Sequence, residues 1–190
     1  MTTAALRLQE CLAFTLQYEG GYQARPDDRG NWFDGRLIGT NRGISAPTLA
    51  AWLGHDRAES LTAEDMRSLP EAEARAIYAA HYWNPIRGDD LPPGIDLMLF
   101  DFGVLAGPRR SVSIAQALLA RLLGTITIDG FLGPRTLGAI QRVSARTLLP
   151  GLADGQLRFL QGLKAWPANP GWAKRNTARL KRASQMTEAA

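Results

Sequence analysis

The sequence predicts a mainly α-helical protein that carries one small β-hairpin in its N-terminal lobe. Apolar residues recur at helical spacing between Leu8 and Tyr18, and residues 95–106 are apolar almost without interruption; both patterns are typical of helices. Residues 22–44 are instead dense in glycine, aspartate and asparagine, which favours turns and a hairpin. With 190 residues, 45% hydrophobic and 21% charged, the chain has the composition of a soluble globular protein.

The first predicted helix ends at a glutamate, Glu19, which is followed by Gly20 and Gly21. On a helical wheel Glu19 projects between Leu8 and Leu12, within the apolar face, and the glycines are expected to end the helix in a left-handed conformation. Burial and the negative end of the helix dipole both favour a protonated carboxyl group. The pattern therefore predicts a raised pKa for Glu19, as a general acid requires.

More helices are predicted along the rest of the chain. After the hairpin segment they are expected at 47–54, at 62–69 and, from a capping box at Ser68 and Glu71, through Tyr82. The apolar helix at 95–106 should be central and buried, so its Asp101 is expected to be paired and structural. The last three are expected at 111–123, 134–143 and 151–165.

Composition narrows the classes of protein to consider. Cys11 is the only cysteine, which excludes an internal disulfide. We find neither a signal-peptide pattern nor the ~18 apolar residues that a membrane span needs, so an integral membrane protein is not expected. The net charge of +4 is concentrated in residues 156–187, which contain no acid. This basic stretch indicates either a solvated helix face or contact with a polyanion such as the cell wall.

The residue inventory excludes several kinds of catalytic site. The two histidines and Cys11 are too few for a three-ligand zinc site unless carboxylates complete it, and no HExxH spacing is present. Serine-hydrolase, phosphate-loop and dinucleotide motifs are also missing, so no metal or other cofactor is expected. Carboxylate chemistry remains, since Asp27 and Asp28 follow Glu19 at a spacing that suits the second group of a glycosidase.

An ordered set of short motifs resembles glycoside hydrolase family 108, which contains muramidases of lysozyme-like fold. The motifs are EGGY at 19–22, RPDDRG at 25–30, TxxGIS at 40–45, IYAAHYWNPIRGDDLPPG at 77–94 and FDFGV at 100–104. Two further segments, IDGFLGPRTLGAI at 128–140 and NPGWAKR at 169–175, resemble the peptidoglycan-binding half that follows this catalytic part. The resemblance implies a muramidase lobe at 1–93 and a helical peptidoglycan-binding half at 94–190, packed as one globule.

The resemblance also implies roles for single residues. Glu19 matches the catalytic glutamate, while Asp28, or Thr40 with a water molecule, matches the group that serves the opposite face of the sugar. The hairpin is longer than the pattern because WFDGRLIG at 32–39 precedes Thr40. Asp27, Asp28 and the inserted Asp34 therefore all remain candidates for the second group. A second departure is Leu105, which replaces a polar residue of the pattern.

Aromatic and polar residues near these motifs are candidates for substrate binding. Tyr22, Tyr82 and Trp83 are expected to stack on sugar rings, with a core position as the alternative for the last two. Asn41 and Arg42 are expected to hydrogen-bond N-acetyl or lactyl groups, with turn geometry as the alternative.

Together these features predict a hydrolase that cleaves peptidoglycan between N-acetylmuramic acid and N-acetylglucosamine. A lytic transglycosylase that uses Glu19 as acid and then as base is the nearest alternative, and a non-catalytic wall-binding or secretion-assisting protein is another. The expected partner is the glycan strand and not nucleic acid. A protein made in the cytoplasm without a signal peptide, acting in the periplasm or cell wall, would need a holin-like export partner, and both phage lysis and secretion fit this expectation.

Overall fold

Helices dominate residues 3–189, the part of the chain that the computed structural model describes. By its internal contacts the chain divides into two units. The smaller unit is Thr15–Tyr78, and the larger unit combines the chain up to Phe14 with the chain from Ala79 onward. The predicted mainly α fold is confirmed, whereas the functional division expected between residues 93 and 94 stays a prediction.

The smaller unit begins with two hairpins of very short strands. They pair antiparallel, β1 (Trp32–Phe33) with β2 (Arg36–Leu37) and β3 (Thr40–Asn41) with β4 (Ile44–Ser45). Each is closed by two residues with positive φ, Asp34–Gly35 in the first and Arg42–Gly43 in the second, as a type I′ turn requires. The inserted segment thus forms a hairpin of its own, where the sequence predicted a single longer one.

Four short helices complete the smaller unit: α2 (Ala46–Leu53), α3 (His55–Glu59), α4 (Ala63–Arg67) and α5 (Glu71–Tyr78). A capping box opens α4, because Thr62 accepts from the Asp65 N–H while the Asp65 carboxylate accepts from the Thr62 N–H. The capping box predicted at Ser68 is wrong, since the Ser68 hydroxyl donates to the Glu64 carbonyl and closes α4 instead.

The first helix, α1 (Thr3–Leu16), is shorter than its sequence pattern predicts. The Tyr18 N–H bonds to the Thr15 carbonyl in a tight turn, and the chain then bends at Glu19. Neither Gly20 nor Gly21 has a positive φ. The predicted left-handed helix stop is therefore wrong.

The larger unit is built around α6 (Ile95–Ala106), whose bounds match the prediction and whose residues from Ile95 to Gly103 are all buried. A π-helical turn (Ala79–Trp83) and two 3-10 turns precede α6. Later helices pack on it or on one another: α7 (Pro108–Leu123), α8 (Pro134–Gln141), α9 (Ala145–Gln161) and α10 (Gly171–Glu188). None of the helices among residues 3–189 is long and apolar enough to span a bilayer.

Asp101 is the ionic centre of this larger unit. Its carboxylate accepts from Arg175 at 2.7 Å and from Arg179 at 2.7 Å, and all three side chains are buried. Burial would raise the pKa of Asp101, but the two guanidinium groups outweigh it and hold that pKa below its usual value. The prediction that Asp101 is paired is confirmed, and its structural role stays a prediction.

Four of the basic residues in the stretch at 156–187 consequently have acidic partners within the chain. Besides Arg175 and Arg179, Arg158 pairs with Asp154 and Arg182 pairs with Glu10. Three exposed lysines remain for outside contacts, namely Lys164, Lys174 and Lys181.

Candidate active site

Glu19 lies in the bend that follows α1, against the turn of the β3–β4 hairpin. A Cβ atom on Gly43 would lie 2.8 Å from the Glu19 Oε2 atom and 2.6 Å from the Tyr78 hydroxyl oxygen. Only a residue without a side chain leaves room for these two groups. Glu19 is half-buried and does not lie in the middle of the apolar face of α1, because that helix ends at Leu16.

The turn beside Glu19 is held by two side chains. The amide nitrogen of Asn41 donates to the carbonyls of Met66 and Arg67, at 2.8 and 3.1 Å. The Tyr78 hydroxyl donates to the Arg42 carbonyl at 2.8 Å. Asn41, predicted to bind sugar, thus uses its amide nitrogen to fix β3 to the end of α4, and Arg42 contributes its carbonyl to the turn.

Asp28 is linked to Thr40, at the open end of the same hairpin, through Gln23 and Gly30. The two carboxylate oxygens of Asp28 accept from the Gly30 N–H at 2.9 Å and from the Gln23 amide at 3.2 Å. The main chain of Gln23 pairs with that of Thr40, and the Thr40 hydroxyl donates to the Gly30 carbonyl at 3.4 Å. Glu19 therefore lies against the turn of the hairpin, and Thr40, linked to Asp28 through Gln23 and Gly30, lies at the opposite end.

The other two acidic candidates lie away from this arrangement. Asp27 is exposed and its carboxylate lies 3.5 Å from the Arg25 guanidinium. Asp34 occupies the first turn position of the β1–β2 hairpin and is exposed.

The three aromatic candidates have different surroundings. Tyr22 is half-buried, its hydroxyl donates to the Ile38 carbonyl, and the Arg67 guanidinium lies 4.5 Å from its ring centre. Tyr82 is half-buried in the larger unit. Trp83 is 2% exposed and its indole N–H donates to Asp89 at 2.8 Å. Contrary to the expectation of sugar stacking, Trp83 is a core residue.

Sequence reasoning missed Tyr78 and Gln23, the residues that organise the two ends of the hairpin. Tyr78 is 1% exposed and reaches a carbonyl 36 residues away, a pairing that no local pattern indicates. Gln23 directly follows the EGGY motif, and this closeness to Glu19 was the only feature of the sequence that could have indicated a role for it.

Two further findings concern a cysteine nucleophile and a metal site. Cys11 is completely buried, and this burial raises the pKa of its thiol, so the thiolate that a nucleophile needs is disfavoured. Within residues 3–189 no group of three or more His, Cys, Asp or Glu side chains is placed to hold a metal ion.

Comparison with known proteins gives a matching family model and similar solved structures. A family model described as glycosyl hydrolase 108 matches residues 12–107, a range that runs from α1 to the end of α6. The structure of SagA from Brucella abortus is 30% identical and superposes with a TM-score of 0.79, over 96% of this chain and 97% of that one. The search of curated proteins gives no match.

Proposed function

The chain belongs to the glycosyl hydrolase 108 family and is a peptidoglycan-degrading glycoside hydrolase, and from this premise we propose that it is an N-acetylmuramidase with Glu19 as general acid. In this proposal Glu19 protonates the oxygen that joins N-acetylmuramic acid to N-acetylglucosamine. The bond from that oxygen to the muramic-acid anomeric carbon then breaks, and water attacks the carbon.

The single observation that carries the proposal is the place of the Glu19 carboxyl group. It is half-buried and lies against a glycine turn that a side chain would obstruct. A general acid must be held at one position and still reach a substrate oxygen. A partly exposed carboxyl group against a fixed turn meets both needs.

For the second group we propose Asp28, with Thr40 beside it. Of the three aspartates in question, Asp28 is the one hydrogen-bonded to Gln23, whose main chain pairs with Thr40 in the hairpin that lies against Glu19. Its carboxylate would accept the proton of the attacking water, or Thr40 would orient that water. Asp27 and Asp34 lack comparable support because both are exposed at turns.

Substrate contacts in the proposal come from Tyr22, Arg42 and Tyr82, which are all half-buried and partly accessible. Residues 108–189 lie beyond the matched family range, and peptidoglycan binding by this part is a further element of the proposal. We also propose that the protein acts in the periplasm or cell wall and that a holin-like partner exports it.

A lytic transglycosylase is the alternative that one observation favours. Both oxygens of Asp28 already accept hydrogen bonds from the protein, whereas a transglycosylase needs no second carboxylate. In that reaction the 6-hydroxyl of the muramic acid attacks its own anomeric carbon and yields an anhydro product.

Mass spectrometry of fragments released from purified peptidoglycan tests the proposal. Reducing muramic-acid ends that disappear with Glu19→Gln are the expected result. Anhydro ends would move the assignment to a lytic transglycosylase. Reducing glucosamine ends would contradict the proposed bond.

A further inference from the structure

We infer that Tyr78 is a positioning residue for Glu19, holding the turn against which the general acid lies. This inference rests on the proposed function, because it assigns Tyr78 a role only if Glu19 acts in catalysis. Neither the motifs of the sequence nor the family match assigns a role to this tyrosine.

The first step of the argument is that Tyr78 is itself fixed. It is the last residue of α5 and is 1% exposed, so packing restricts its ring to one orientation. Its hydroxyl has one hydrogen, and this hydrogen is donated to the Arg42 carbonyl at 2.8 Å. A rigid helix therefore supports the first residue of the hairpin turn.

The second step is that the supported turn is the part of the chain against which the Glu19 carboxyl group lies. The Tyr78 oxygen and the Glu19 carboxyl group both lie within 2.8 Å of the point where a Gly43 Cβ would be. Because Arg42 and Gly43 both have positive φ, the turn occupies a conformation with few alternatives. A shift of the Arg42 carbonyl would move Gly43 and change the space in which the Glu19 carboxyl group lies.

The third step is that the hydroxyl, and not the ring, carries this function. In Tyr78→Phe the buried ring remains, but the Arg42 carbonyl loses its hydrogen-bond donor. The turn is then no longer bonded to α5 through this side chain. A displaced general acid lowers the rate of bond cleavage more than it weakens substrate binding. The expected signature is therefore a loss in kcat with little change in KM.

The test compares Tyr78→Phe with Ile77→Val, a matched control on the same helix. Ile77 is completely buried, and its loss of one methyl group destabilises the same element without touching the hydroxyl. Initial rates of fragment release over a series of peptidoglycan concentrations give kcat and KM, and thermal unfolding gives Tm. We expect Tyr78→Phe to lower kcat about tenfold with KM within about twofold, and Ile77→Val to keep wild-type kcat at a similar loss in Tm.

A double variant tests whether Tyr78 acts through Glu19. In the Glu19→Gln background, Tyr78→Phe should cause less than about a twofold further loss of the residual rate. A full tenfold loss in that background, a wild-type kcat for Tyr78→Phe, or equal kcat losses for Tyr78→Phe and Ile77→Val would each overturn the inference. Wild-type activity of Glu19→Gln would instead show that the proposed function itself is wrong, so the two failures are distinguishable.

Discussion

Gly43 and Glu19 are in such close contact that a methyl group on the glycine would lie 2.8 Å from a Glu19 carboxylate oxygen. Gly43 also has a φ of 74°, which residues with a side chain rarely adopt. The position thus has two separate reasons to be glycine, one from its backbone conformation and one from its contact with Glu19.

Gly43→Ala is expected to lower both stability and activity. The left-handed backbone costs an alanine about 1–2 kcal/mol, and the added Cβ atom must displace Glu19 or Tyr78. Rates of peptidoglycan cleavage and urea unfolding measure the two effects.

Gly35 in the neighbouring hairpin is the matched control for this substitution. It occupies the same turn position with a φ of 69°, and no atom lies within 4 Å of its would-be Cβ. Gly35→Ala should therefore show a similar loss of stability and near wild-type activity. Equal activity losses in the two variants would show that contact with Glu19 is not the cause.

Two particular helices show what the sequence could and could not predict. The bounds of α6 (Ile95–Ala106) were predicted correctly because a run of apolar residues between glycines leaves few other structures. The helix α10 (Gly171–Glu188) was missed. Its buried face includes Arg175 and Arg179. Arginine in a sequence usually indicates an exposed position, and the pairing with Asp101 that allows burial is visible only in the structure.

The site was predictable to a similar extent. Glu19 stood out because its charge is unfavourable at a helix end and because EGGY resembles a family motif. Its actual surroundings depend on Gly43 and Tyr78, which reach it only through the hairpin and α5. Trp83 was a candidate for sugar stacking with a core position as the alternative, and its indole, buried against Phe100, occupies the core position.

Asp101→Asn is expected to destabilise the larger unit strongly. The substitution leaves the buried guanidinium groups of Arg175 and Arg179 without their carboxylate, and breaking a buried ion pair costs about 3–5 kcal/mol. Asp154→Asn is the control, since its pair with Arg158 is more than half exposed and is worth only about 0.3–0.5 kcal/mol. Urea unfolding monitored by circular dichroism compares them. Losses of similar size would contradict a structural role for the Asp101 network.

Asp96 should make the stability of the larger unit depend on pH. Burial raises its pKa from 3.8 to about 6, although the Leu97 N–H, the Arg7 guanidinium and the Gly94 N–H oppose the rise. The folded chain therefore binds a proton between pH 4 and 6 that the unfolded chain has released. Its stabilising contribution is complete below the unfolded pKa and is lost as pH rises through about 6.

Asp96→Asn removes this titration and tests the prediction. The difference in unfolding free energy between wild type and variant should fall by about 2–3 kcal/mol as pH rises from 4 to 7. Urea unfolding at half-unit pH intervals measures it. A difference that stays constant over this range would contradict the prediction.

The most direct test of the central claim is the rate at which Glu19→Gln releases reducing muramic-acid ends from purified peptidoglycan. Glu59→Gln, an exposed acid on α3 of the same unit, is the control for loss of one negative charge. If Glu19 is the general acid, Glu19→Gln loses about 100-fold or more in rate while its Tm and circular dichroism match the wild type, and Glu59→Gln stays active. A folded Glu19→Gln variant that cleaves peptidoglycan at the wild-type rate would contradict the assignment of this residue as the catalytic acid.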